Sequence, residues 1–356
     1  MKKTLSLCII CAMVAAITGT VLADGKVGVS MPTQSLQRWN QDGVNMKEKL
    51  EAGGYEAILR FADYSAALQI EQIEAMILEG VRVLVIAPVD GDSLGIVLAQ
   101  AKAHDIPVIA YDRLIMETDA VSYYATFDNY MVGTIQGEYI RDRFDLDHLE
   151  GSINLEFFSG DKEDNNSLFV YYGAYDVLSP YIEAGMIVVP SGQIEFEKTV
   201  TKDWDPDAAR ERMEDLLFTY YADGVNKLDA VLCSNDSTAL GVTNALIGAG
   251  IQPEDFPALT GEDCDIANVR NIIDGYQAMS IFKDTRVLAG QVVSMIDAMM
   301  AGETPRYLNH VSYHNGIALI PSILCDPVFV DADNYYEQLI DSGYYTAEQL
   351  ADQEKR

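Results

Sequence analysis

Cysteine is scarce in this chain, and what there is cannot frame a fold. Of five cysteines, Cys8 and Cys11 fall in an apolar N-terminal run, leaving Cys233, Cys264 and Cys325. An odd number at scattered spacing gives no disulfide framework, although one bridge remains open. Histidine is scarcer still. His310 and His314 alone have suggestive spacing, in a stretch that reads as extended, and no cysteine or carboxylate cluster completes a zinc set. No metal or cofactor is therefore expected. Basic charge is short as well: 24 Lys and Arg stand against 55 Asp and Glu, a net charge of −31. Such a surface repels phosphate backbones and anionic lipid, which excludes nucleic acid and membrane surfaces as partners. A Gly-x-Ser-x-Gly nucleophile turn, a P-loop and a Gly-x-Gly-x-x-Gly fingerprint are all absent.

Residues 1–23 read as a secretory signal peptide. Lys2 and Lys3 form the basic end, Leu5 to Thr18 the apolar stretch, and Val21-Leu22-Ala23 the small-residue cleavage site. The apolar stretch is too short to span a bilayer, and no later run is long enough. An exported, soluble, periplasmic chain is expected. Its acidity is spread along the sequence among ordinary apolar content, unlike that of a disordered tail. About 333 mature residues suffice for two domains, each with its own core.

Apolar runs alternate with amphipathic segments almost throughout. Val27–Met31, Ala57–Phe61, Val83–Ala87, Val108–Tyr111 and Tyr123–Thr126 read as buried strands, with helices near 40–52, 66–79, 92–103 and 131–144 between them. The pattern restarts after Asp147-His148-Leu149-Glu150-Gly151, with strands at Ile153–Phe158, Ile194–Phe196, Ala230–Cys233, Ala258–Thr260 and Met279–Phe282. The expected fold class is α/β, with two doubly wound parallel-sheet lobes. An internal echo relates Arg82–Asp112 to Leu228–Asp263, each a strand, a polar turn, a helix and a strand ending near an aspartate. Polar residues after strand ends mark the edge where open α/β sheets bind ligands. Trp39, Asp112, Trp204, Asn235 and Asp263 would collect there.

The two tryptophans sit among polar neighbours: Trp39 in Gln37-Arg38-Trp39-Asn40, and Trp204 in Lys202-Asp203-Trp204-Asp205. An indole face flanked by hydrogen-bonding groups suits a sugar ring, with its C–H faces and hydroxyl rim. The same residues could equally be half-buried caps on a core. Asp112 and Arg113 read as a pair that would accept from and donate to vicinal hydroxyls, or as a surface ion pair. Asp161-Lys162-Glu163-Asp164-Asn165-Asn166 departs from a calcium loop at the turn glycine and at the final glutamate, so it reads as a polar loop offering Asn166 to a hydroxyl. Two carboxylates such as Asp112 and Asp263 could serve a glycosidase, but both lie beside groups better suited to binding.

At this point the motifs resemble a family. The strings are Met31-Pro32-Thr33 through Arg38-Trp39, Ala110 to Ile115, Tyr123 to Asn129, Asp164-Asn165-Asn166, Trp204-Asp205-Pro206, Gly261-Glu262-Asp263 and Ile281 to Arg286. In this order over the mature chain they resemble periplasmic monosaccharide-binding proteins of sugar ABC importers, of the xylose-binding and multiple-sugar-binding branch. The resemblance implies a non-enzymatic, monomeric receptor. It would deliver an aldopyranose such as glucose, galactose, arabinose or xylose to a permease, and could also present it to a chemoreceptor or sensor kinase. The rival readings are a purely sensory receptor and a carbohydrate-active enzyme of similar fold. By position, Trp39 and Trp204 would sandwich the sugar. Arg38, Asp112 and Arg113 would bind hydroxyls from one lobe, and Asn166, Asn235, Asp263 and Lys283 from the other lobe and the hinge. The implied lobes are 24–128 plus 284–315 and 129–283 plus 316–356, crossing near Asp128-Asn129, Lys283-Asp284 and Asn315-Gly316. Two departures stand out. Glu262 replaces the family's usual glutamine, and Ser234-Asn235-Asp236 follows the xylose-binding pattern, which leaves Asp236 as a rival contact to Asn235.

Overall fold

Strand periodicity dictates how the first sheet is covered. In the computed structural model, which describes residues 25–351 except 223, 225 and 307, β1 (Lys26–Met31) leads through α1 (Gln37–Ala52), β2 (Glu56–Phe61), α2 (Ala66–Leu78), β3 (Val83–Ile86), α3 (Gly95–Ala103) and β4 (Val108–Tyr111) to β5 (Val121–Phe127). Successive side chains on a strand point to opposite faces. Val83, Val85, Ile109 and Tyr111 accordingly join one core with Met46 and Leu50 of α1. Leu84, Ile86, Val108 and Ala110 join another with Ile73 and Met76 of α2 and Val97 and Leu98 of α3. Strands buried on both faces need apolar residues at every position, which is why they read as continuous runs. The signal peptide expected over residues 1–23 lies outside the described residues.

The chain then passes into a second lobe through α4 (Asn129–Arg143), β6 (Ile153–Phe158), α5 (Asn165–Glu183), β7 (Ile187–Val188), α6 (Phe196–Thr199), α7 (Pro206–Leu216), β8 (Ala230–Cys233), α8 (Asp236–Gly248), β9 (Ala258–Leu259), α9 (Ile266–Asp274) and β10 (Met279–Phe282). There β7-β6-β8-β9 form a parallel sheet. Residues of α5 cover one face of it, and residues of α7 and α8 the other. Helix α10 (Thr285–Met300) returns to the first core through Leu288, Val292 and Met295, and β11 (Ser322–Cys325) follows it. The last elements are β12 (Val328–Asp331) and α11 (Ala347–Leu350). The first sheet runs β11-β5-β4-β3-β1-β2, all parallel.

Three expectations need correction. No strand forms at Ile194–Phe196; the edge partner of β6 is β7, and Phe196 opens α6. Ile194 and Phe196 are apolar because they are packed, not because they are laddered. Tyr171 Oη donates to the Ile194 carbonyl at 2.5 Å, and the Phe196 ring lies 5.6 Å from that of Tyr171. Nor does β10 extend the parallel ladder, since it pairs antiparallel with β12. Finally, the third crossing is not at Asn315-Gly316. Asn315 Nδ2 donates to the carbonyls of Ile115 and Thr118 in the first lobe. Ser322–Cys325 then pairs with Tyr124–Phe127, satisfying the otherwise open edge of β5. The chain leaves that lobe only between β11 and β12.

Candidate ligand-binding site

The carboxyl ends of the strands in the two lobes face each other across a narrow cavity with about 40 Å³ of free space. All nine expected residues line it: Arg38, Trp39, Asp112 and Arg113 from the first lobe, with Asn166, Trp204, Asn235, Asp263 and Lys283 opposite. Each is largely buried. Chain topology explains the gathering, because these residues follow strand ends or open the helices that begin there.

Arg38 is the centre of the charge network. Nη2 donates to Asp112 Oδ1 at 2.8 Å, Nη1 to Asp263 Oδ1 at 2.6 Å, and Nε to Asp42 Oδ2. Burial works against its charge, yet Asp112, Asp42 and Asp263 together hold its pKa well above the ordinary value. Asp112 shows the reciprocal effect. Burial would raise its pKa, but Arg38, Lys283 and Arg113 outweigh that and keep it low. Asp42, fully enclosed behind Arg38, is pushed by burial up to about 6, and it also accepts from Tyr111 Oη. The expected Asp112–Arg113 pair does not form. Asp112 lies just past the end of β4 at positive φ and turns to Arg38, while Arg113 Nε meets Asp164 Oδ2 of the other lobe at 2.7 Å.

The two aspartates that the internal echo aligns, Asp112 and Asp263, both take positive φ, at 57° and 101°. Such conformations persist where surrounding contacts over-determine them. The Asp112 carbonyl accepts from Tyr124 Oη at 2.7 Å, Thr126 Oγ1 at 2.8 Å and Asn166 Nδ2 at 2.7 Å. Asn166 is thus engaged by the opposite lobe, and also accepts from Tyr124 Oη.

Trp204 is set by a strained turn, with Asp203 at φ 56° and Trp204 at φ 55°. Asp161 holds that turn by accepting from the Asp203 N–H. The indole then lies against Gly160, where any Cβ would sit about 2.0 Å from the ring; only glycine lets it pack so closely. Trp204 Nε1 is buried and has no acceptor among the described residues. Across the cavity the Trp39 ring carries the Arg113 guanidinium at 5.0 Å, a cation–π contact.

Asn235 caps α8. Its Oδ1 accepts from the Thr238 N–H at 3.0 Å, while the side chain still borders the cavity. Asp236 does not. It turns inward to accept from Gln277 Nε2 and Ser280 Oγ, and burial raises its pKa well above the ordinary value. Lys283 Nζ lies 2.5 Å from Glu262 and 3.3 Å from Asp263. Burial pushes Glu262 up to about 7, against the pull of Lys283.

Sequence reasoning missed Asp42, Asp164 and Asn129 as parts of the site and left Glu262 as a departure only. Asp42 was legible as the i+4 partner of Arg38. Asp164 was legible as an N-cap before an apolar run; it caps α5 by accepting from the Asn166 N–H. Asn129 lines the cavity without any comparable signal.

The chain matches the model of the periplasmic binding protein domain over residues 27–304. The chain belongs to the periplasmic binding protein family. This is a family of non-enzymatic binding proteins. A solved ABC transporter solute-binding protein from Clostridium phytofermentans, with bound β-D-glucose, is 59% identical at a TM-score of 0.89, covering 91% of this chain and 99% of that one. The multiple sugar-binding periplasmic receptor ChvE of Rhizobium radiobacter is 44% identical over 92% of both chains. A carbohydrate transporter solute-binding protein from Chloroflexus aurantiacus, in complex with D-glucose, is 34% identical at a TM-score of 0.82, over 92% and 98%.

Proposed function

We propose that this binding protein works outside the cytoplasmic membrane, captures an aldopyranose between its lobes and delivers it to an ABC permease. The observation that carries the reading is the buried array of Asp112, Asp263, Arg38 and Lys283 beside Trp39 and Trp204. Vicinal hydroxyls both donate and accept, so they suit carboxylates and guanidinium groups set side by side. Indole faces match the apolar C–H faces of a pyranose. Trp204 Nε1 supplies one more donor. The nine lining residues named above are the sugar contacts in this reading, with Asn235 and not Asp236 contributing from α8.

Three crossings make a hinge, so the lobes close as rigid bodies. Sugar contacts both walls only in the closed form and therefore shifts the population toward it. The permease reads that form as a complex with the monomeric receptor; a chemoreceptor or sensor kinase is the second expected reader. Titration calorimetry against glucose, galactose, arabinose and xylose tests the reading. A Kd of ~1 μM for at least one is expected, equivalent to about −8 kcal/mol.

A further inference from the structure

The cations of the cavity are already spoken for. Arg38 is held by Asp112, Asp263 and, from behind, Asp42. Arg113 is held by Asp164, and Lys283 by Glu262 and Asp263. Among the described residues, every cationic side chain lining the cavity has a carboxylate within ion-pair distance, and the lining carboxylates outnumber the cations by four to three. All are buried, so solvent screens them little. A ligand carboxylate or phosphate entering here would meet no free counter-charge and would face the carboxylates directly. A hydroxyl or ammonium group would find carboxylate lone pairs ready to accept. Glu262 is the carboxylate that tips this balance. Its Oε1 has no well-directed hydrogen bond, only the close approach of Lys283.

We propose that Glu262 makes the cavity a charge filter, admitting neutral and amino-substituted aldoses and turning away sugar acids and sugar phosphates. The proposal rests on the monosaccharide reading above and narrows its ligand class. With glutamine at 262, Lys283 would have a hydrogen bond but a weaker counter-charge, and would be freer to meet a ligand anion. Charge sets this preference apart from shape, because a hydroxymethyl, an ammoniomethyl and a carboxylate group on C5 are nearly alike in size.

The test compares glucose, 6-amino-6-deoxyglucose and glucuronate by calorimetry at about pH 8, where Glu262 is ionised. The amino sugar should bind within about tenfold of glucose, and glucuronate at least about 100-fold more weakly than glucose. Glu262→Gln should narrow the glucose-to-glucuronate ratio by about fivefold or more. Glucuronate binding by the unaltered protein within about threefold of glucose overturns the filter, whether or not the variant folds. An unchanged ratio in a folded Glu262→Gln overturns the role of Glu262. If all three sugars fail to bind, the hexose reading beneath the proposal falls instead, which the other two results leave standing.

Discussion

Trp204 and Asp112 carry the residue-scale claims. Trp204→Ala should weaken aldose binding by at least ~1–2 kcal/mol, through lost aromatic contact and a lost Nε1 donor; calorimetry of the folded variant reads this directly. Asp112→Ala should cost more, ~2–4 kcal/mol, because it strips an acceptor from Arg38 and a nearby counter-charge from Lys283 inside the cavity. The partner thereby exposed is Arg38, not the sequence neighbour Arg113. Glu262 supplies a pH signature. Its folded-state pKa, about 7, lies above the ordinary carboxyl value, so the folded state binds the extra proton in that interval. The resulting stabilisation is complete below about pH 4.5 and is lost as the pH rises through about 7. Glu262→Gln should therefore shrink the fall in Tm between about pH 5 and pH 8. At this scale the sequence named the side chains but not their partners. Asp112 and Arg113 are adjacent in the chain, yet their ion pairs are made by groups 74 and 51 positions away, respectively, at Arg38 and Asp164.

Helix ends do two jobs here, and substitutions can separate them. Asn235 caps α8 through its Oδ1 and borders the cavity. Asn235→Ser should keep the cap and hence the Tm while lowering affinity, whereas Asn235→Ala should lose ~1 kcal/mol of stability as well. Helices α4 and α5 cross where a Cβ on Gly133 would sit 1.9 Å from the Val170 carbonyl oxygen. Gly133→Ala should force the pair apart and lower stability by ~1–3 kcal/mol in denaturant unfolding. Elements were legible where their own pattern decides them. Val108–Tyr111, Ile153–Phe158 and Ala230–Cys233 form at the expected bounds because continuous apolar runs bounded by polar turns have few other solutions. Ile194–Phe196 failed because burial against Tyr171 imitates a strand pattern. The membership of Ser322–Cys325 was hidden because pairing with β5 is a contact across nearly 200 residues, which no local periodicity encodes.

For the whole molecule, the two-lobed architecture follows from the restart of the β-α pattern, and the cleft from strand ends that face each other. What pattern alone cannot give is the interlobe wiring. Arg38–Asp263, Arg113–Asp164 and Asn166 on the Asp112 carbonyl bind one lobe to the other. These contacts, together with sugar, define the closed form, so ligand at ~100 times Kd should stabilise the fold by ~2.7 kcal/mol and raise Tm by several degrees. The most direct test of the account is calorimetric titration of the chain lacking residues 1–23, unfolded and refolded to strip carried ligand, against a panel of aldopyranoses. Saturable one-to-one binding near ~1 μM for at least one of them is the predicted result. A folded protein that gives no binding heat with any aldopyranose would contradict it.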